Sequence, residues 1–523
     1  MKNLLLLFFP VLAFSQSPSG FSHSWYSQFE KEKHFISSDH HTSIKPFSFS
    51  QFDLNTNYID SFSIASKGIN KFLNHHLFSY SSDEFELIIN PLFHFELGKS
   101  DSANRYVNTR AFEARGKIGS RVSFYTSFYE NQAIFPNYLE DEIVANNFVV
   151  PGQGQSKWGN HDIDHDFDFA MSNGLVNYQA SKQINFQFGH GKNFFGDGYR
   201  SLLLSDNAFN YPYFKITTKA WQFNYVNLFS VLQDLRPEFE LNNTFRKKYS
   251  TTHFLSINLT KRLNIGVFET ILWEQSESGR GFDVNYLNPI IFYRPVEFSL
   301  GSQSGNALLG LNFKYKVSDL THLYGQFILD EFKFDEIVAG NGWWANKFGY
   351  QIGIKSFDLF GVKNLKFQSE YNFARPFIYS HRNPLQSVTH YGQSLTHPLG
   401  ASFSENVSII RYNHKRWMAD LKIVVAQHGD DIPGDSINYG NDVLISYYQG
   451  GRNEYDNQVA QGNTTDLKII DLRLAYLVNP NTNMKIELGL SNRSSTSLYK
   501  PSSKTNYIFL SFKTDINNYY YDF

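Results

Sequence analysis

From residue 85 to near the C-terminus, side chains alternate between apolar and polar with a period of two. Ile184-Asn-Phe186-Gln-Phe188, Leu311-Asn-Phe313-Lys-Tyr315-Lys-Val317, Leu365-Lys-Phe367-Gln and Met484-Lys-Ile486-Glu-Leu488-Gly-Leu490 are examples. A strand sends successive side chains to opposite faces, so this pattern predicts strands with one apolar and one polar face. A two-sheet sandwich would alternate in the same way, with its polar face in water. Three features point instead to a closed membrane barrel.

The apolar face is rich in aromatics, and strand ends such as Phe124-Tyr125, Phe128-Tyr129 and Trp343-Trp344 read as interfacial girdles. The chain is 17% aromatic and 18% charged, yet its mean hydropathy is only −0.38, so the rings are interleaved with polar residues. Strands also pair through short turns, at Lys117–Arg121, Ser318–Thr321 and Val478–Thr482, and long polar loops fall at 132–166, 276–305, 376–404 and 429–464. Short turns on one side and long loops on the other are barrel asymmetry. Finally, Tyr519-Tyr-Tyr521-Asp-Phe523 resembles the C-terminal signal read by the barrel-assembly machinery. The prediction is an all-β outer-membrane barrel of about 16–18 antiparallel strands over 85–523, even numbers being usual.

The first residues, MKNLLLLFFPVLAFSQ, place Lys2 before the apolar run Leu4–Phe14 and small residues near Gln16. That is the anatomy of an export signal over 1–15, and the run is too short for a membrane helix of roughly 18 residues or more. Residues 16–84 do not alternate and read as a short periplasmic or plug-like segment, with Tyr58–Phe72 helical. A chain without cysteine carries no disulfide, thiolate metal site or Cys-linked lipid. Its net charge of −2 supplies no field for nucleic acid.

Four glycines between 189 and 198, with Lys192, suggest a phosphate loop. The dinucleotide fingerprint fails because position 194 is Phe and Asn210-Tyr-Pro212 interrupts any following helix. The P-loop fails because position 186 is Phe and Asn193 follows the lysine. The stretch is expected to be a loop bending inward, presenting Lys192, Asp197 and Arg200 to the lumen. His161, Asp162, Asp164, His165 and Asp166 form a candidate metal loop, but it lacks the glycine and glutamate of a calcium-binding EF-hand and any H-E-x-x-H. A solvated acidic loop is the simpler reading, so neither metal nor cofactor is expected. There is no G-x-S-x-G, since Gln303 occupies the centre of Gly301–Gly305, and no enzyme activity is expected. Asn288, Arg294, Glu297, Arg375 and His381 lie in dense polar-aromatic blocks. Ion pairs, Arg294 with Glu297 and Arg375 with a lumenal carboxylate, are one reading of them. The other is sugar contact, with rings on apolar sugar faces and amides or guanidinium on hydroxyls.

Three long irregular strings carry a family resemblance: "GHGKNFFGDGYRSLLLSDNAFNYPY", "YLNPIIFYRPVEFSLGS" and "ARPFIYSH…QSLTHPLGASFSEN". Over most of residues 40–523 the chain resembles the Wzi capsule-assembly barrels, and most closely their Bacteroidota gliding-motility branch, RemB. The resemblance implies a barrel of about 18 strands closed by loops, non-enzymatic, with a surface-polysaccharide role. Implied partners are outer-membrane lipid, the assembly machinery, surface polysaccharide, and adhesion or motility proteins. The alternatives are a porin-like solute channel and an outer-membrane hydrolase.

Overall fold

The computed structural model describes residues 21–47, 73–101, 103–157, 166–275, 281–292 and 305–523. Among them, eighteen antiparallel strands close into one barrel. They are β1 (Phe85–Ser100), β2 (Ala103–Ile118), β3 (Val122–Ile134), β4 (Phe167–Gln179), β5 (Ile184–Gly191) and β6 (Tyr211–Ala220). Then come β7 (Phe223–Asp234), β8 (Arg246–Asn258), β9 (Leu263–Glu274), β10 (Asn306–Lys316), β11 (Thr321–Glu331) and β12 (Lys347–Phe357). The wall is completed by β13 (Leu365–Ala374), β14 (Phe403–His414), β15 (Trp417–Asp430), β16 (Asn463–Asn479), β17 (Met484–Ser497) and β18 (Ser503–Thr514).

At one end every connection is short, from 221–222 and 415–416 up to 358–364. The other end carries the loops 135–166, 192–210, 235–245, 275–305, 332–346, 375–402 and 431–462, with tight links only at 101–102 and 498–502. The short-turn end is therefore periplasmic and the looped end extracellular.

The wall is inside-out relative to a soluble protein. On β10 Leu309, Leu311, Phe313 and Tyr315 point outward, 38–51% exposed, whereas Asn312 and Lys314 point inward at 1%. That parity is what hydrocarbon outside and a polar filled lumen require. Aromatic rows mark both ends: Trp417 lies 5.1 Å from Tyr476 near the periplasmic turns, and Phe327, Phe348 and Phe373 follow one another near the extracellular rim. Two expected girdle pairs lie elsewhere. Tyr125 and Tyr129 are mid-strand and inward, and Trp344 is buried inside the mouth against Phe377 and Tyr447. An aromatic dipeptide in a strand must split between faces, so adjacency alone does not make a girdle.

β18 pairs with β1 only from Tyr507↔Ser100 to Lys513↔His94. Below that, the short strand Phe78–Ser81 pairs with β1 from Phe78↔Ile89 to Ser81↔Glu86 and continues the seam toward the periplasm. The last wall strand stops at Thr514, and the following residues turn into the lumen, where Ile516, Tyr520 and Asp522 are 3–4% exposed.

One sector of the wall is covered from outside. Asn227, Thr251, His253 and Glu269 share the outward parity of β7, β8 and β9, yet are buried. Segment 281–292 lies over them. Tyr286 packs on outward Tyr249, Ile271 and Trp273, and Pro289 O accepts from Tyr225 Oη at 2.8 Å and Asn227 Nδ2 at 3.0 Å. The Phe292 amide donates to Glu269 Oε2 at 2.6 Å.

Candidate functional site: a filled lumen and the cavities at its mouth

The lumen holds four chain segments: 21–47, the loop 192–210, the loop 375–402 and the tail 515–523. The glycine stretch does bend inward. Phe194–Phe195 pairs with Ile44–Lys45, and Leu202, Leu203 and Leu204 enter the main core. Glycine is required where the loop touches the wall: a Cβ on Gly198 would sit 2.7 Å from both Arg200 O and Glu370 Oε2.

The loop is held mainly by inward side chains of the wall. Gln326 Nε2 donates to Phe195 O at 2.8 Å, and its Oε1 accepts from the Leu202 amide at 2.8 Å. Glu370 accepts from the amides of Tyr199 and Arg200 at 2.8 and 2.9 Å. Arg200 is 1% exposed and donates through Nε and Nη2 to Glu405, at 3.3 and 2.8 Å. Its Nη1 donates to Asp522 Oδ1 at 3.0 Å, while Asp522 Oδ2 accepts from Lys422 Nζ and Tyr199 Oη, each at 2.7 Å. His397 Nε2 lies 2.7 Å from Glu405. The guanidinium lies against the edge-to-face pair Tyr199 and Tyr520, their centroids 5.0 and 5.2 Å from Cζ and 5.4 Å from each other. Fully paired charges of this kind tie segments together and leave nothing for a ligand.

The other sequence candidates divide in the same way. Lys192 reaches the lumen, but its amine caps Gly152 O at 2.6 Å and Asp206 O at 3.0 Å. Asp197 accepts from Thr42 beneath segment 21–47 and faces Lys314 Nζ at 4.0 Å. Burial works to raise its carboxyl, but Lys314 and Lys45 hold it below the usual range. Arg375 has no lumenal carboxylate. It follows β13 at the extracellular rim, where Nη2 donates to Trp343 O at 3.3 Å and Asn457 O at 3.4 Å. The strand ends one residue earlier, so its side chain meets loop backbone instead of the lumen. His381 sits beside Tyr447 at the mouth, with burial lowering its imidazole to about 4. Asn288 is an exposed member of the external segment, so it is no lumen residue. Arg294, Glu297 and the candidate metal residues His161, Asp162, Asp164 and His165 lie outside the described residues, as do 1–20 and 48–72. Asp166 is exposed.

Sequence reasoning missed Glu370, Glu405, Asp522, Gln326 and His397, which carry the lumen network. The available signal was length: nine residues of tail beyond a wall-spanning strand, with a charge among its tyrosines.

Two cavities open at the extracellular end. The larger, about 410 Å³, is lined by Glu142, Asn207, Gln393, Asn441, Asp442 and Lys500, among others. Gln393 Oε1 accepts from the Gly152 amide at 2.6 Å, whereas its buried Nε2 has no partner. Burial, followed by Asp430, raises the carboxyl of Glu142 above its ordinary value. The smaller, about 260 Å³, lies at the rim around Trp343, Asn341, Asn346 and Arg375. A third cavity, about 260 Å³, lies inside, between the tail and the inner face of β1–β3 and β14–β18.

The profile of the capsule assembly protein Wzi family matches residues 90–501, most of the sequence. The chain belongs to the Wzi family. No curated protein sequence matches it. Among solved structures, Wzi of Escherichia coli superposes with TM-score 0.52 at 13% identity, covering 95% of this chain and 99% of that one. That protein is described as an outer-membrane, carbohydrate-binding β-barrel involved in group 1 capsule assembly. OprD of Pseudomonas aeruginosa gives TM-score 0.42 at 9% identity over 84% and 98% of the chains. OccAB2 of Acinetobacter baumannii gives 0.42 at 10% over 82% and 97%. This Wzi-family barrel is thus an outer-membrane protein.

Proposed function

We propose that this barrel binds and organises cell-surface polysaccharide at its extracellular mouth, as a non-enzymatic factor in capsule or exopolysaccharide assembly. The observation that carries this reading is the mouth cavity of about 410 Å³ above a lumen occupied by four chain segments. Its lining of amides, carboxylates and one lysine suits hydroxyl-rich ligands, which need many donors and acceptors at fixed positions. The unpartnered Gln393 Nε2 supplies a donor that a sugar oxygen would satisfy. E. coli Wzi, which shares the fold, is described as carbohydrate-binding. In this reading residues 1–15 are a cleaved export signal and 16–84 a periplasmic or plug segment. The chain falls in the RemB branch, the assembly machinery inserts it, and the bound glycan supports surface adhesion or gliding.

The porin-like alternative requires a continuous aqueous path, which the segments 21–47, 192–210, 375–402 and 515–523 obstruct. The deciding experiment is calorimetric titration of the purified barrel with polysaccharide from its own cell surface, beside Gln393→Leu, with conductance in planar bilayers measured in parallel. Saturable binding weakened about tenfold or more by Gln393→Leu, with little conductance, supports the proposal. No binding together with stable conductance steps would favour the channel. Unchanged capsule, adhesion and spreading after gene deletion would remove the cellular role.

A further inference from the structure

The smaller cavity has features that the glycan reading does not use. Arg375 is a guanidinium without an anion: among the described residues no carboxylate lies within 4.0 Å of it. Its Nε is buried and unpartnered, and its two hydrogen bonds, both from Nη2, go to carbonyl oxygens at 3.3 and 3.4 Å. A buried polar nitrogen left in this state costs free energy until an acceptor arrives. The carboxylates nearby are turned to other uses. Glu336 is taken by Lys333 Nζ at 2.9 Å and by Asn341 Nδ2 at 2.5 Å, and Asp456 is exposed at the opening. Trp343 closes one side, its indole fixed by donation to Glu454 at 2.7 Å.

The position of this cavity is as informative as its chemistry. It is lined by Phe348, an outward-facing ring in the Phe327–Phe348–Phe373 row at the extracellular end of the wall. One side of the cavity therefore borders the lipid-facing wall at the extracellular rim. The helix Phe334–Ala339 flanks it, and around that helix Phe332, Phe334, Ile337 and Val338 are 54%, 67%, 42% and 70% exposed. Four apolar side chains beside a cation at the height of an aromatic belt are the composition of an interfacial anchor.

We propose that this rim cavity seats the anionic headgroup of an outer-leaflet lipid. Arg375 Nε and Nη2 donate to the two oxygens of a phosphate or carboxylate, Nη2 giving up its long bonds to the Trp343 and Asn457 carbonyls, Asn346 Nδ2 donates to a neighbouring oxygen, and the helix Phe334–Ala339 rests its apolar side chains among the acyl chains. Guanidinium suits such a group because its fork matches two oxygens at once. The site is distinct from the mouth cavity and does not depend on glycan binding there.

The test uses the full chain in maltoside micelles, titrated with diphosphorylated lipid A, dephosphorylated lipid A and a lipid-free glucuronate oligosaccharide. Tryptophan fluorescence and native mass spectrometry of retained ligand provide the readout. Binding of the phosphorylated lipid alone is expected, weakened at least tenfold by Arg375→Met and restored in part by Arg375→Lys. Val338→Ser, which leaves the cavity intact, is expected to weaken it several-fold. Heat-modifiable gel mobility identifies variants that fold. Equal retention of both lipids, or an unchanged affinity in folded Arg375→Met, overturns the proposal. Binding of the free glucuronate oligosaccharide without the lipid also overturns it and reassigns the cavity to soluble sugar.

Discussion

Asp522→Ala should release the tail from the lumen while leaving the wall intact. The side chain is 4% exposed and accepts from Arg200 at 3.0 Å, Lys422 at 2.7 Å and Tyr199 at 2.7 Å. Removing one partner from a buried ion pair costs about 3–5 kcal/mol. Arg200 keeps both bonds to Glu405, and Lys422 keeps Asp471 at 3.8 Å, so the lower end, about 3 kcal/mol, applies. That corresponds to about a hundredfold rise in the detached population, since each tenfold step is about 1.36 kcal/mol. The assay is hydrogen exchange by mass spectrometry on the full chain in lipid nanodiscs. Peptides spanning 515–523 should exchange on the order of a hundredfold faster, while β10 and β11 are unaffected and Asp522→Glu restores part of the protection. Unchanged exchange in the tail, or equal acceleration throughout the wall, would refute the reasoning. The pH dependence follows with its sign. Burial pushes the Asp522 carboxyl up, but Arg200 and Lys422 outweigh it and hold the carboxyl well below its ordinary 3.8. A depressed carboxyl contributes stability above its unfolded value and loses it as pH falls through the folded one. The tail should therefore stay seated at pH 5 and loosen only well below 3.8.

Three further outcomes are expected. Gly198→Ala, whose Cβ would meet Arg200 O and Glu370 Oε2 at 2.7 Å, should lose about 1–3 kcal/mol in urea unfolding. Gly191→Ala, with nothing nearer than 3.8 Å, should change stability by less than about 0.5 kcal/mol. Gln326→Leu strips the Leu202 amide of its partner, while the Phe195 carbonyl keeps Ser201 Oγ at 2.6 Å, costing about 1–3 kcal/mol for the orphaned amide and raising exchange in 192–210. The Lys192 amine is lowered from 10.5 to about 8, chiefly by burial. Between those values the unfolded state binds more protons, so stability rises with pH, and wild type should gain on Lys192→Met across that window when both are unfolded in parallel.

The wall was legible because side-chain parity is a local property. Leu311-Asn-Phe313-Lys-Tyr315 announces two faces whatever its neighbours do, and the polar turns at 119–121 and 317–320 mark where it reverses. The inward bend at Gly189–Gly198 was legible from equally local signals, since the glycines loosen a strand end and Asn210-Tyr-Pro212 excludes a helix before the next strand. The lumen network was not. Arg200 finds Glu405 and Asp522 at separations of 205 and 322 residues, and no spacing rule reaches so far. Parity also conceals which outward polar residues meet lipid. Glu269 in Phe268-Glu-Thr-Ile271 reads as inward by chemistry and outward by register, and only the segment over it resolves the conflict. The rim cavity was half visible: Arg375 and Trp343 were both noted, in different roles, but 32 residues of separation hid their contact.

The segment 281–292 gives the barrel a heading in the plane of the membrane. A uniform cylinder of strands would meet its neighbours with equal ease from every azimuth. Here the sector spanning β7 to β9 is upholstered with irregular backbone, and Val284, Leu287, Ile290 and Phe292 project from it. Acyl chains cannot hydrogen-bond such backbone as they slide past, so lipid solvates this flank differently from the bare strands opposite. When two of these proteins approach by lateral diffusion, their encounter is anisotropic: the flank and the bare wall offer different contact chemistry. Patterns of crowding in the outer leaflet would inherit that asymmetry from a single extracellular loop laid down against its own wall.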